Sequence, residues 1–170
     1  SKRSIALNLK TPEAQEIARR LIDWADVVLE SFTPGTMAGF GLGYEDARRI
    51  NPSIVYASTC LMGQDGPAAP LAGYGYHAAA ICGFYEVTGW PGRPPSGPFT
   101  AYTDTIAPRF FAAAVMAAID HRARTGEGQY IEQSQMESSL HFLAPEILRY
   151  QADGTVPHRI GNDDPAMAPP

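Results

Sequence analysis

Apolar positions along the 170 residues recur in two rhythms, and their alternation predicts an α/β chain. Ser4–Leu9 reads as a short strand. Thr11-Pro12-Glu13 then supplies an N-cap, a proline at the first helical position and an acidic first turn. Ala14, Ile17, Ala18, Leu21 and Ile22 follow on one helical face. Ala25–Leu29 is almost continuously apolar, as a buried parallel strand would be. Strand, helix and strand at this spacing predict a βαβ unit.

The rhythm continues downstream. Gly41–Pro52 reads as a short helix closed by Asn-Pro, and Ile54–Ser58 as a third strand rich in β-branched and aromatic residues. Gly73–Phe84 predicts an Ala-rich helix. The Gly/Pro-rich run Trp90–Gly97 predicts an irregular surface loop leading into a long buried helix. Ile106, Phe110, Phe111, Ala114, Val115 and Ala118 form that helix's apolar face, Arg122 and Arg124 its basic last turn, and Gly126 its stop. Pro108 fits only near its front. Gln129–Gln133 is a brief strand, and Ser134-Gln-Met-Glu137 has the capping-box pattern of a helix reaching Tyr150, kinked at Pro145. The expected fold is an open, mostly parallel sheet with flanking helices.

Composition narrows the class. One domain is the natural size, charged residues are 18% and the net charge is −5, which points to neither nucleic acid nor a disordered acidic tail. Cys60 and Cys82 show no metal or CxxC spacing, so a reduced, cytoplasmic protein is expected. No apolar run is long enough to span a bilayer. With no initiating methionine and a coil-like close from Asn162, an internal piece of a longer protein is expected.

Candidate chemistry centres on Asp104, placed at or just before the start of the long helix. An aspartate there serves either as an N-cap or as an ionised carboxylate at a cleft mouth, available as a nucleophile. Glu30–Gly35 and Leu61–Pro67 follow predicted strands, at the carboxyl edge that ligands prefer in open α/β sheets. Gly63 and Gly66 allow either a close ligand approach or an ordinary turn. His77 and His141 read as packing or surface residues.

Asp104, its small-residue helix and the run Arg122-Ala-Arg-Thr-Gly-Glu-Gly-Gln129 closely resemble the family III CoA-transferases, the CaiB/BaiF family. The resemblance runs over essentially the whole chain from Lys2. It implies a Rossmann-like large domain that binds coenzyme A, with residues 1–170 forming part of it and 151–170 leading toward a small domain. It implies Asp104 as catalytic nucleophile, acting through an aspartyl mixed anhydride and an aspartyl-CoA thioester. Acyl-CoA and a small carboxylic acid would be the substrates, with no metal and no permanently bound cofactor, and the full-length protein would be an interlocked homodimer.

The same resemblance implies a coenzyme A site at Leu7, Lys10, Ser31, Phe32, Thr36 and Phe40, with Lys10 as a phosphate partner. Ser31 replaces the family's usual Asn, Met62 its Phe, and Pro108 its glycine. Gly39 and Ala72 stand where the formyl-CoA transferase branch has basic residues. Related α-methylacyl-CoA racemases use a histidine where this chain has Tyr74. A racemase or epimerase and an inactive coenzyme A-binding module therefore stay open beside the transferase.

Overall fold

Thr11 holds an extended conformation and its hydroxyl accepts the Ala14 N–H at 3.4 Å, so helix α1 (Pro12–Trp24) starts at the cap-and-proline signal. The computed structural model describes residues 2–163. The run from Asp164, expected as coil leading toward a further domain, lies outside them.

Three strands, β1 (Val27–Glu30), β2 (Val55–Cys60) and β3 (Tyr130–Ser134), form a parallel sheet in the order β1-β2-β3. The register pairs Val27 with Val55 and Tyr56 with Tyr130. Between β1 and β2 lie α2 (Thr36–Gly39) and α3 (Tyr44–Ile50). Between β2 and β3 lie α4 (Gly75–Cys82), α5 (Phe84–Val87) and α6 (Tyr102–Thr125). After β3 come α7 (Gln135–Leu140), a 3₁₀ turn at His141–Leu143 and α8 (Ala144–Asp153).

Alternation of side chains across the strands separates two layers. Ile54 and Tyr56 point to one face, where Ile22 of α1, Leu42 and Ala47 of α3 close the main core. The buried Tyr56 hydroxyl donates to the Leu42 carbonyl at 3.0 Å, and Tyr44 stacks on Tyr130 at 4.8 Å. Thr59 and its partner Gln133 point to the other face, where Gln133 Nε2 donates to the Ala107 carbonyl of α6 at 2.9 Å. Covered on both sides, β2 is buried from Val55 to Ser58.

Several expectations need correction. Ser4–Leu9 is not a strand: no strand pairs with it among the described residues, and an extended run without a ladder partner remains coil. The first βαβ unit is accordingly β1-α3-β2. Among the described residues β1 is an edge strand, paired with β2 alone, and Leu29 is 59% exposed.

Helix α6 is largely exposed, burying Thr103, Ile106, Ala107 and Ala118. Pro108 lies inside it at the seventh position, so the Asp104 carbonyl has no N–H four residues on. Pro145 starts a new helix, α8, rather than kinking a continuous one. Two expected signals stand: Gly126 ends α6 at φ 80°, and Ser134 caps α7 by accepting the Glu137 N–H at 3.2 Å.

Candidate active site

The carboxyl ends of all three strands open onto one cleft of about 740 Å³. Ser31–Pro34 after β1, Leu61–Gly73 after β2 and Gln135 after β3 contribute its walls. A smaller cavity of about 200 Å³ adjoins it, lined by Asp104, Pro108, Phe111 and Gln133. Thr59 and Gln135 line both, so the small cavity is a side chamber of the large cleft.

Asp104 is the third residue of α6, and the N-cap is Ala101, which supplies no side-chain cap. The carboxylate therefore does not cap its own helix. Its Oδ2 accepts the N–H of Gly75, the first residue of α4, at 3.3 Å, and its Oδ1 accepts from Gln135 Nε2. Both donors are neutral, and the carboxylate lies in the first turn of α6. The side chain is exposed to the cavity and has lone pairs free on both oxygens.

Two further acids support the cleft floor from beneath. Glu30, buried at the end of β1, accepts the Phe32 N–H at 2.8 Å and Gln64 Nε2 at 3.3 Å. Glu132 accepts the Gln64 N–H at 2.6 Å. Together they tie the Ser31–Pro34 and Gln64–Gly66 loops to the sheet. Gly63, at φ 93°, clears the Glu132 carboxylate rather than a ligand: a Cβ there would lie 2.6 Å from Oε1. Gly66 does line the cleft. Burial pushes the Cys60 thiol up, and its Sγ donates to the Gly63 carbonyl at 2.9 Å.

The expected coenzyme A residues fall into three places. Ser31 and Phe32 line the large cleft. Phe32 also forms one wall of a second, apolar groove of about 530 Å³ that contains Leu7. Lys10 is exposed at the turn before α1, Thr36 shares a 2.9 Å hydrogen bond with Thr33, and Phe40 packs against the main core. These three lie outside the lining of the large cleft.

Tyr74 is 75% exposed and its N–H donates to His77 Nδ1 at 3.0 Å, which makes His77 a cap of α4. His141 stacks on Phe110 at 4.9 Å. Thr103, Gly75 and Gln135 were not singled out by sequence reasoning. One signal was available for Gln135: a polar residue directly after a parallel strand sits at the ligand edge.

Among the described residues no helix is long and apolar enough to cross a membrane, and no group of three or more His, Cys, Asp or Glu residues could hold a metal ion.

The model of CoA-transferase family III matches residues 1–170. Over 168 residues the chain is 39% identical to a succinate–glutarate CoA-transferase from Agrobacterium fabrum, covering 99% of this chain and 42% of that protein. It is 36% identical to a succinyl-CoA–D-citramalate CoA-transferase from Chloroflexus aurantiacus, with the same coverage. The crystal structure of a CaiB/BaiF family protein from Brucella suis superposes with a TM-score of 0.90 at 38% identity, over 99% of this chain and 44% of that one. The chain thus spans less than half the length of these relatives. Matched from one end to the other, it belongs to CoA-transferase family III.

Proposed function

We propose that the protein containing this chain moves coenzyme A from an acyl-CoA donor to a small carboxylic acid, with Asp104 as the covalent carrier. The observation that carries this reading is the Asp104 carboxylate itself. It is exposed in the side chamber of the strand-edge cleft and holds a donor on each oxygen, with no part in capping its own helix.

The chemistry follows from a carboxylate in that position. One oxygen of Asp104 attacks the thioester carbonyl, giving a mixed anhydride and releasing CoA thiolate. The thiolate attacks the aspartyl carbonyl, frees the first acid and leaves an aspartyl-CoA thioester. An acceptor carboxylate reverses the two steps. Each intermediate stays activated if water is kept out, so the thioester's free energy is retained.

The large cleft, with Ser31 and Phe32 on its wall, suits the coenzyme A end of the substrate, and Leu7 extends that surface across Phe32. Lys10, Thr36 and Phe40 complete the proposed contacts. Coenzyme A is a substrate here rather than a resident cofactor.

Exposed Trp24, Leu29 and Phe99 suit surfaces covered by the rest of the protein and by a second copy in a homodimer. Free Cys60 and Cys82 suit the cytoplasm.

The test is a panel of acyl-CoAs and small carboxylic acids given to the full-length protein in heavy water. New acyl-CoA products without deuterium at the α-carbon are expected, since Tyr74 offers no imidazole and His77 is held as a cap. Deuterium at the α-carbon with no coenzyme A moved would make the protein a racemase.

A further inference from the structure

The beginnings of three helices converge on one carboxylate, and Gln135 closes a ring of hydrogen bonds around it. Gln135 is the first residue of α7, directly after β3 and its cap Ser134. Its Nε2 donates to Thr103 Oγ1 at 2.9 Å and to Asp104 Oδ1. Thr103 is fully buried, and its own hydroxyl proton goes to the Gly75 carbonyl at 3.0 Å. Only lone pairs of Thr103 Oγ1 are then left for Gln135. That fixes the side-chain amide with its nitrogen, not its oxygen, toward Asp104. The Gly75 N–H, donating to Asp104 Oδ2 at 3.3 Å, completes the ring.

We propose that Gln135 is a catalytic group of the transfer, holding Asp104 Oδ1 as the oxygen that stays with the aspartate and stabilising the negative charge it takes up. This rests on the reading of Asp104 as nucleophile. Oδ1 faces a side-chain donor, the Gln135 amide, which is able to follow it as the carbon changes geometry. Oδ2 faces a fixed backbone N–H at 3.3 Å, which leaves it as the attacking oxygen in this scheme.

The bond changes place the charge. Oδ2 bonds to the thioester carbon and the carbon–sulfur bond breaks, releasing CoA thiolate. The sulfur then bonds to Cγ, the Cγ–Oδ1 π pair moves onto Oδ1, and collapse breaks Cγ–Oδ2, so the freed acid leaves with that oxygen. An acceptor carboxylate oxygen next bonds to Cγ, charge again gathers on Oδ1, and the Cγ–sulfur bond breaks. The thiolate attacks the acceptor carbonyl and expels the aspartate carboxylate. Oδ1 is an oxyanion twice per turnover, and a donor fixed on it acts where charge develops. A neutral amide does this without the ion pair that would blunt the nucleophile. Gln135 also lines both cavities, so it faces the reacting groups.

The test uses the full-length protein with Gln135→Met, which keeps the length and removes the donor, and Gln135→Glu, which sets a second carboxylate against Asp104. With the acyl-CoA that turns over in the panel above, kcat should fall roughly a hundredfold for Q135M and further for Q135E, as for loss of one oxyanion donor. KM should stay within about threefold. Wild-type kcat in either folded variant, or a loss confined to KM, overturns the role. Melting curves separate loss of fold from loss of turnover. If neither variant folds, Gln135 is structural and the assignment is overturned as well. Asp104→Asn run in parallel keeps the two readings apart. Turnover in D104N removes the nucleophile reading, whereas a silent D104N beside normal Gln135 variants removes only the role of Gln135.

Discussion

Gly75 and Asp104 fit each other with no room to spare. A Cβ built on Gly75 would lie 2.7 Å from the Asp104 carboxyl carbon, while the Gly75 N–H donates to Oδ2 of the same carboxylate. Gly75 does not have a positive φ, so an alanine would suit the backbone, and the three atoms nearest its Cβ all belong to the Asp104 carboxylate.

Gly75→Ala is therefore expected to destabilise the full-length protein by about 1–3 kcal/mol, the usual penalty of overpacking, and to lower turnover by displacing the carboxylate. Asp104→Ala in the same chain should restore most of the melting temperature, because it removes the colliding atoms. Additive losses in the double variant would show that the two residues do not clash.

A second glycine makes a contrast within one turn. Gly128 packs onto the backbone of Ser53 and Ile54, where a Cβ would lie 2.6 Å from the Ser53 carbonyl carbon. Gly126, two residues earlier, has open space around it and φ 80°. Gly128→Ala should reach the upper end of the roughly 1–3 kcal/mol range for overpacking. Gly126→Ala should cost about 1–2 kcal/mol from its left-handed backbone alone. Thermal melts of the two variants check the order, and a larger loss at Gly126 would refute it.

Much of this arrangement was legible in the sequence because it is set by short-range chemistry. The Thr11 cap, the Gly126 stop and the Ser134 cap each depend on residues within one turn, and all three stand. The Ser4–Leu9 strand failed because a strand needs a neighbour that its own pattern cannot reveal. Pro108 was placed too near the helix start because nothing local marks Ala101 as the cap. Asp104 stood out by position and resemblance. Gln135 did not, because its role exists only once β3, α4 and α6 bring residues 75, 103, 104 and 135 together.

Acid should loosen the segment around His158. The His158 ring, hydrogen-bonded to Glu86 at 2.8 Å, holds that carboxyl below its ordinary value, and Arg159 at 3.3 Å adds to the effect. A lowered folded value means the tether contributes fully above the ordinary glutamate pKa of about 4.3 and is lost as pH falls through the folded one. Hydrogen exchange in residues 156–161, corrected for its intrinsic pH dependence, should be protected at neutral pH and rise in that acid window. Glu86→Gln should remove the protection at neutral pH. Equal protection in the variant would show that Glu86 does not tether this segment.

Covalent carriage by Asp104 is tested most directly by mass. The full-length protein, incubated with its acyl-CoA donor without an acceptor acid, should gain the mass of coenzyme A on the peptide containing Asp104, and hydroxylamine should remove it. Asp104→Asn keeps the size of the side chain and should leave the fold and coenzyme A binding intact, yet form no adduct and lose activity by several orders of magnitude. An adduct on another residue, or near-normal turnover in folded D104N, would contradict the account.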